Sequence, residues 1–347
     1  MVSNAVRRSR TLLGVCPPLA AALWAALALA PFPLSAATPL AAGPADQRAP
    51  AVGWSPASAR WLVAWQDHAP VPPQGVAVGA VRVDAAGALV ESPWLLAGDE
   101  HDRLNPAVAG GGSPGGWLVV YERASSGGGL DVAACFVRAD GVLPAPELTL
   151  AGGADWEYDP AVAWSATLSE YLAVWSAGPA PLDGQSDLWA RRVGANGALL
   201  GPAIRLTSDD GQEDEASLVA DAGGGWLVAW RAAGGSSPTR PDVFTMPLGP
   251  TGASGGPAFA VAASLLAQQR PRLVARPESA DFLAVWQDGL PTQDGTISIV
   301  AQRVRADGGL LGYPVALAEL GIEEDGVPAA AWLPGPGAWL LGWDVFA

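Results

Sequence analysis

The sequence predicts an all-β protein, a single β-propeller of six blades. Two observations predict it: a unit of about 55 residues recurs along the chain, and each copy is a succession of short apolar runs separated by Gly and Pro. Composition agrees. With 43 Gly, 32 Pro and only 15% charged residues, the chain suits many short strands joined by tight turns, not long helices.

The first 37 residues stand apart from the repeats. A basic start (Arg7, Arg8, Arg10) precedes an uncharged apolar run from Leu12 to Ala30 and then Ser35, Ala36 and Ala37. This is the pattern of a secretory signal peptide, residues 1–37, cleaved after Ala37. An uncleaved anchor is the rival reading, which Pro17, Pro18, Pro31 and Pro33 disfavour because they flank or interrupt the run. The expected location is therefore secreted, periplasmic or cell-surface, with no membrane insertion after cleavage. Loss of the leader removes three Arg and no acid, taking the formal charge from −15 to −18. Such a surface excludes nucleic acid as a partner. Cys135 is then the one remaining thiol, and a small buried apolar residue is its simplest role.

Residues 38–347 carry the repeats. The second strand of each unit ends in an aromatic at Trp65, Tyr121, Trp175, Trp230, Trp286 and Trp343. A first strand upstream is introduced by Pro50, Pro106, Pro160, Ala216, Pro271 and Pro328. A third strand runs into Gly87, Gly141, Gly197, Gly252 or Gly308, and the Asp-Gly and Asn-Gly pairs among these are strong hairpin signals. A short fourth strand follows. Four antiparallel strands in this length make one propeller blade, whose two apolar faces are covered by radial neighbours.

The repeats span about 48–102, 103–158, 159–214, 215–269 and 270–325, with a partial sixth at 326–347. Leu40, Ala41, Ala42 and Gly43 match Leu150, Ala151, Gly152 and Gly153 without gaps. An N-terminal strand is therefore expected to help close the last blade. The last blade would still lack its third strand, so a three-stranded blade, a truncated chain, or five blades plus an extra hairpin are the alternatives.

The unit from Pro160 through Tyr171–Trp175, Asp187–Val193 and Asn196–Gly201 resembles a tandem repeat of many proteins secreted by bacteria. In these an aromatic-ended apolar strand precedes an Asp-led strand and a Gly turn. The resemblance covers residues 48–347 and implies a propeller-like scaffold without one shared activity. The leading Asp is present at Asp131, Asp187 and Asp242 and replaced at Ala77 and Ser298.

Acidic residues gather between repeats. They include Asp99, Glu100 and Asp102; Asp155, Glu157 and Asp159; Asp209, Asp210 and Glu213 to Glu215; and Glu323 to Asp325. One rim should be strongly negative. Calcium is the one cofactor such a rim admits, but no stretch has the spacing of a known calcium loop, and solvated turns on an acidic protein are the preferred reading, with no cofactor. Most of the 16 Trp fall at packing positions of the repeat, whereas Trp156 lies within an acidic stretch, where an indole can stack on a sugar. The expected ligand-binding residues are Trp156, Asp155, Glu157, Asp209, Asp210 and Asp214.

No catalytic residues are expected. The two His, His68 and His101, lack a motif. Gly111 to Gly115 has the letters of a nucleophile elbow but lies in a strand-to-strand turn. Paired carboxylates meeting across a propeller mouth stay open as a route to glycoside cleavage. The leading expectation is a non-enzymatic binding module presenting loops to an extracellular protein or glycan. A propeller hydrolase or lyase acting on extracellular polysaccharide is the alternative, and a structural cell-surface component the second.

Overall fold

The computed structural model describes residues 12–16, 39–40, 46–68, 75–112, 115–179, 184–234, 237–261, 266–276, 279–289, 297–320, 327–333 and 335–343. Among these every regular element is a strand.

Strand β1 is Leu12–Cys16. The first four-stranded sheet holds β2 (Asp46–Ser55), β3 (Arg60–His68), β4 (Ala77–Asp84) and β5 (Trp94–Ala97). The second holds β6 (Arg103–Gly111), β7 (Gly116–Ala124), β8 (Leu130–Arg138) and β9 (Leu148–Ala151). The third holds β10 (Trp156–Ser165), β11 (Glu170–Gly178), β12 (Asp187–Gly194) and β13 (Leu199–Arg205). The fourth holds β14 (Gln212–Ala220), β15 (Trp226–Gly234), β16 (Ser237–Leu248) and β17 (Phe259–Ala260). The fifth holds β18 (Gln268–Ala275), β19 (Asp281–Asp288), β20 (Ile297–Arg305) and β21 (Leu310–Leu320). A sixth, three-stranded sheet pairs β22 (Pro328–Leu333) with β23 (Ala338–Trp343), and β23 with β1.

In the five complete sheets strands pair in chain order and antiparallel, so each is a meander closed by short turns. The Gly residues ending the third-to-fourth strand turns (Gly87, Gly141, Gly197, Gly252 and Gly308) all have φ between 78° and 87°. Side chains with a Cβ rarely adopt that conformation, which accounts for Gly at this point of every repeat.

The hydrophobic core lies between sheets. Leu62, Ala64 and Val78 of the first sheet meet Trp117, Val119 and Tyr121 of the second. The same pattern joins the second sheet to the third, the third to the fourth, the fourth to the fifth and the fifth to β22 and β23. Both faces of an inner strand are thus covered, so strands such as β7 are apolar at nearly every position. First strands of successive sheets also touch, β2 on β6, β6 on β10, β10 on β14, β14 on β18 and β18 on β22. Five of these strands, with Val327 just ahead of β22, line one central cavity of about 960 Å³. This radial arrangement of repeated antiparallel sheets is a β-propeller fold.

Two expectations need adjustment. The matched strand at Leu40–Gly43 lies outside the described residues except for Leu40, which packs on Trp65, Val81 and Val83 of the first sheet. The strand that pairs with β23 is instead Leu12–Cys16, in register from Leu12 opposite Trp343 to Cys16 opposite Trp339. Glu157, Asp159 and Glu213 to Glu215 are also not loop residues, since they lie in the first halves of strands β10 and β14. Glu323, Glu324 and Asp325 lie outside the described residues.

Candidate functional site

The cavity wall is built from one short stretch of each first strand, and that stretch is irregular in the same way in five sheets. The register against the second strand shifts between Arg48 and Ala51, Leu104 and Ala107, Tyr158 and Ala161, Asp214 and Ser217, and Gln269 and Arg272. At each shift one residue adopts the left-handed conformation: Ala49, Asn105, Asp159, Glu215 and Arg270, with φ from 46° to 56°. Such a bulge re-aims side chains, and a left-handed conformation costs a non-Gly residue roughly 1–3 kcal/mol. The fold bears that cost at equivalent places and turns a ring of side chains onto the channel. From β6 to β18 the ring reads Asn105, Asp159, Glu215 and Arg270.

These residues are tied to one another from sheet to sheet. Glu122, buried on β7, accepts hydrogen bonds through Oε1 from Asn105 Nδ2 at 3.0 Å and from the Asp159 N–H at 2.9 Å. The Asp159 carboxylate in turn accepts the Glu215 N–H. Glu215 Oε2 accepts the Arg270 N–H at 2.5 Å. Asp214 faces away, into the sheet junction, where Arg231 Nη1 donates to both its oxygens at 2.8 and 2.9 Å and Gln212 Nε2 donates at 2.8 Å.

Burial pushes the Asp159 carboxyl up to about 7, and the negative fields of Glu122, Asp214 and Glu215 add to the rise. Glu215 is also raised, first by burial and then by Asp214, but its Arg270 hydrogen bond and the charges of Arg231 and Arg270 pull the other way. Burial raises Glu122. Two carboxyl groups therefore face one cavity from adjacent blades, in different surroundings. Asp159 is poised to exchange a proton near neutrality, and Glu215, raised as well, has the charges of Arg231 and Arg270 acting against that rise.

The residues expected from sequence are distributed differently. Trp156 opens β10, partly buried against Gly129. Glu157 is buried, and it is pushed up to about 7 by burial and by Asp131 and the exposed Asp155. Asp209 and Asp210 are exposed, and Asp209 acts with Asp187 on the buried Glu213, also raised to about 7 chiefly by burial. The structure thus gathers Asp155 and Glu157 at one blade junction and Asp209 at the next, whereas Asp214 is held in an ion pair with Arg231. Among the described residues no group of three or more His, Cys, Asp or Glu is placed to hold a metal ion, so no residues are assigned to calcium.

Asp159 and Glu215, the carboxylates on the channel, were read from sequence as members of acidic loops. The signal that marks them is their place in the repeat, each directly ahead of Pro160 or Ala216 at the equivalent point of its first strand.

No protein-family model matches the sequence, and no curated protein sequence is similar to it. Among solved structures the chain is similar to a protein of unknown function from Dyadobacter fermentans, at 11% identity over 87% of this chain and 95% of that one, with a TM-score of 0.53. It is also similar to the α-L-arabinanase of Penicillium chrysogenum, solved with arabinobiose, at 13% identity over 86% of this chain and 93% of that one, with a TM-score of 0.52. At such identities the likeness is one of fold. The expectation of a non-enzymatic binding module is corrected by these findings. The scaffold is shared with an arabinanase, and the carboxyls that line the channel were read from sequence as loop residues.

Proposed function

We propose that the chain is a glycan-cleaving enzyme, a hydrolase acting on polysaccharide outside the cytoplasm, with its site in the propeller channel. The observation that carries this reading is the pair of channel-facing carboxyls at the same register position of adjacent blades, Asp159 raised to about 7 and Glu215 supported by Arg270. Asp159 serves as the general acid that protonates the leaving oxygen. Glu215 serves as the carboxylate that acts on the opposite side of the sugar, as base or nucleophile. Asn105 and Glu122 position Asp159 through the bonds described above. Trp156, at the loop end of the strand that carries Asp159, offers an aromatic face for more distant sugar units. The basic start and apolar run of the first 37 residues support export. The sixth sheet, with β22 and β23, supports a ring of six blades.

Release of reducing ends from a polysaccharide panel tests the reading. Turnover on at least one neutral or acidic glycan is expected, with loss of about 10²-fold or more in Asp159→Asn and in Glu215→Gln. Silence on every glycan, or activity indifferent to both substitutions, would overturn it.

A further inference from the structure

Two residues beyond the bulge, the ring has a second register position facing the channel. It is occupied by Ala51, Ala107, Ala161 and Ser217 in four blades and by Arg272 in the fifth. The equivalence is fixed by pairing: these residues lie opposite Ala64, Val120, Val174, Ala229 and Val285, each directly ahead of the aromatic that marks the repeat. Four small side chains keep the channel open, and one long cationic side chain enters it.

Arg272 lacks the kind of partner that other partly buried arginines have. Arg103, Arg123, Arg192, Arg231 and Arg303 each lie within 2.9 Å of a carboxylate. The Arg272 guanidinium makes no ion pair among the described residues, and its one hydrogen bond runs from Nη1 to the Pro271 carbonyl at 3.0 Å. Its environment is hostile to charge, since burial pulls it below the usual arginine range while Glu215 and Asp159 resist. Its remaining donors open on the cavity, where an arriving acceptor can engage them without displacing a protein partner. Its planar fork of donors matches a carboxylate, which it binds through two parallel hydrogen bonds.

We propose that the channel recognises a glycan bearing a carboxylate, a uronic acid residue, and that Arg272 is the residue that binds this carboxylate. The inference rests on the channel being the glycan site. The local charges accommodate such a ligand, because Arg270 and Arg272 stand against Asp159 and Glu215 in the same wall. The wider field limits it. A chain of net charge −15 repels a dense polyanion, so the fitting substrate carries isolated uronic acids among neutral sugars.

Calorimetric binding of trisaccharides containing one glucuronic or galacturonic acid, each against its carboxyl-reduced counterpart, tests the inference without requiring turnover. The wild-type protein is expected to prefer the acidic form by roughly tenfold or more. Arg272→Gln should erase that preference while leaving the weaker binding of the neutral form intact. Should Arg272→Gln fail to fold, Arg272→Lys, which keeps the charge but loses the fork, should lower the preference severalfold. Equal binding of acidic and reduced forms, binding of neither, or a folded Arg272→Gln that keeps the preference would overturn the inference. The two readings fail separately: turnover lost in Asp159→Asn with no preference for the acidic sugar leaves the enzyme standing and removes the uronate.

Discussion

At the scale of single residues the channel asks most of Asp159. Its proposed role needs the protonated form, and its carboxyl is held up to about 7, so kcat/KM should fall as pH rises through that value. Glu122 contributes to the rise through its negative field while also accepting the Asp159 N–H. Glu122→Gln keeps an oxygen for that N–H but removes the charge, which lowers the Asp159 pKa. The alkaline limb of the pH–rate profile should therefore move to lower pH, and an unmoved limb would show that Glu122 does not act on Asp159. These roles were hard to read in sequence for a physical reason. Alternation along a strand predicts which side chains share a face, but a bulge shifts that count by one. Asp159 and Glu215 stood in acidic runs that mix exposed surface residues, such as Asp155 and Asp209, with buried ones, such as Glu157 and Glu213, and nothing in the run tells them apart. Arg272 was legible only by comparison with the alanines at equivalent repeat positions.

At the scale of elements the sequence was far more informative, because the features that define a blade are local. The aromatic ends of the second strands, the Gly turns and the Pro carried by five of the six first strands all depend on neighbours within a few residues. The packing between first strands was less visible, because it sets residues from different repeats against one another. Gly110 of β6 shows the constraint. A Cβ there would lie 2.0 Å from the Trp54 carbonyl oxygen of β2, a contact with backbone that cannot move aside cheaply. Gly110→Ala should force the two strands apart and destabilise the protein by about 1–3 kcal/mol, the usual cost of overpacking a tight core. Denaturant unfolding measures this, and a midpoint equal to that of the wild type would mean that the strands are not packed this closely. Gly87, with nothing near its side-chain position, provides the contrast: Gly87→Ala is penalised by its φ of 87° alone.

At the scale of the whole molecule, the acidic composition acts through particular junctions. Glu157 lies where the third sheet meets the second, near Asp131 and Asp155, and Glu213 where the fourth meets the third, near Asp187 and Asp209. Both are buried and raised to about 7, chiefly by burial, from the 4.5 of an ordinary glutamate. A carboxyl whose pKa is higher in the folded chain binds protons more tightly there than in the unfolded chain. Between about 4.5 and 7 the folded state therefore holds more protons, and stability falls as pH rises across that window. Below it both states are protonated, and above it the loss is complete. The loss is on the order of 3 kcal/mol for each glutamate, less what solvent screening takes from it. Because the sheets share their cores, weakening two successive junctions should lower the stability of the whole fold. The midpoint of denaturant unfolding should accordingly drop between pH 5 and pH 8 in the wild-type chain. In a Glu157→Gln, Glu213→Gln double variant the drop should be much shallower. General repulsion on so acidic a surface also weakens the fold as pH rises, but two substitutions change that net charge little. Parallel curves for wild type and double variant would thus assign the pH dependence to the surface as a whole, and a flattened curve would assign it to these two junctions.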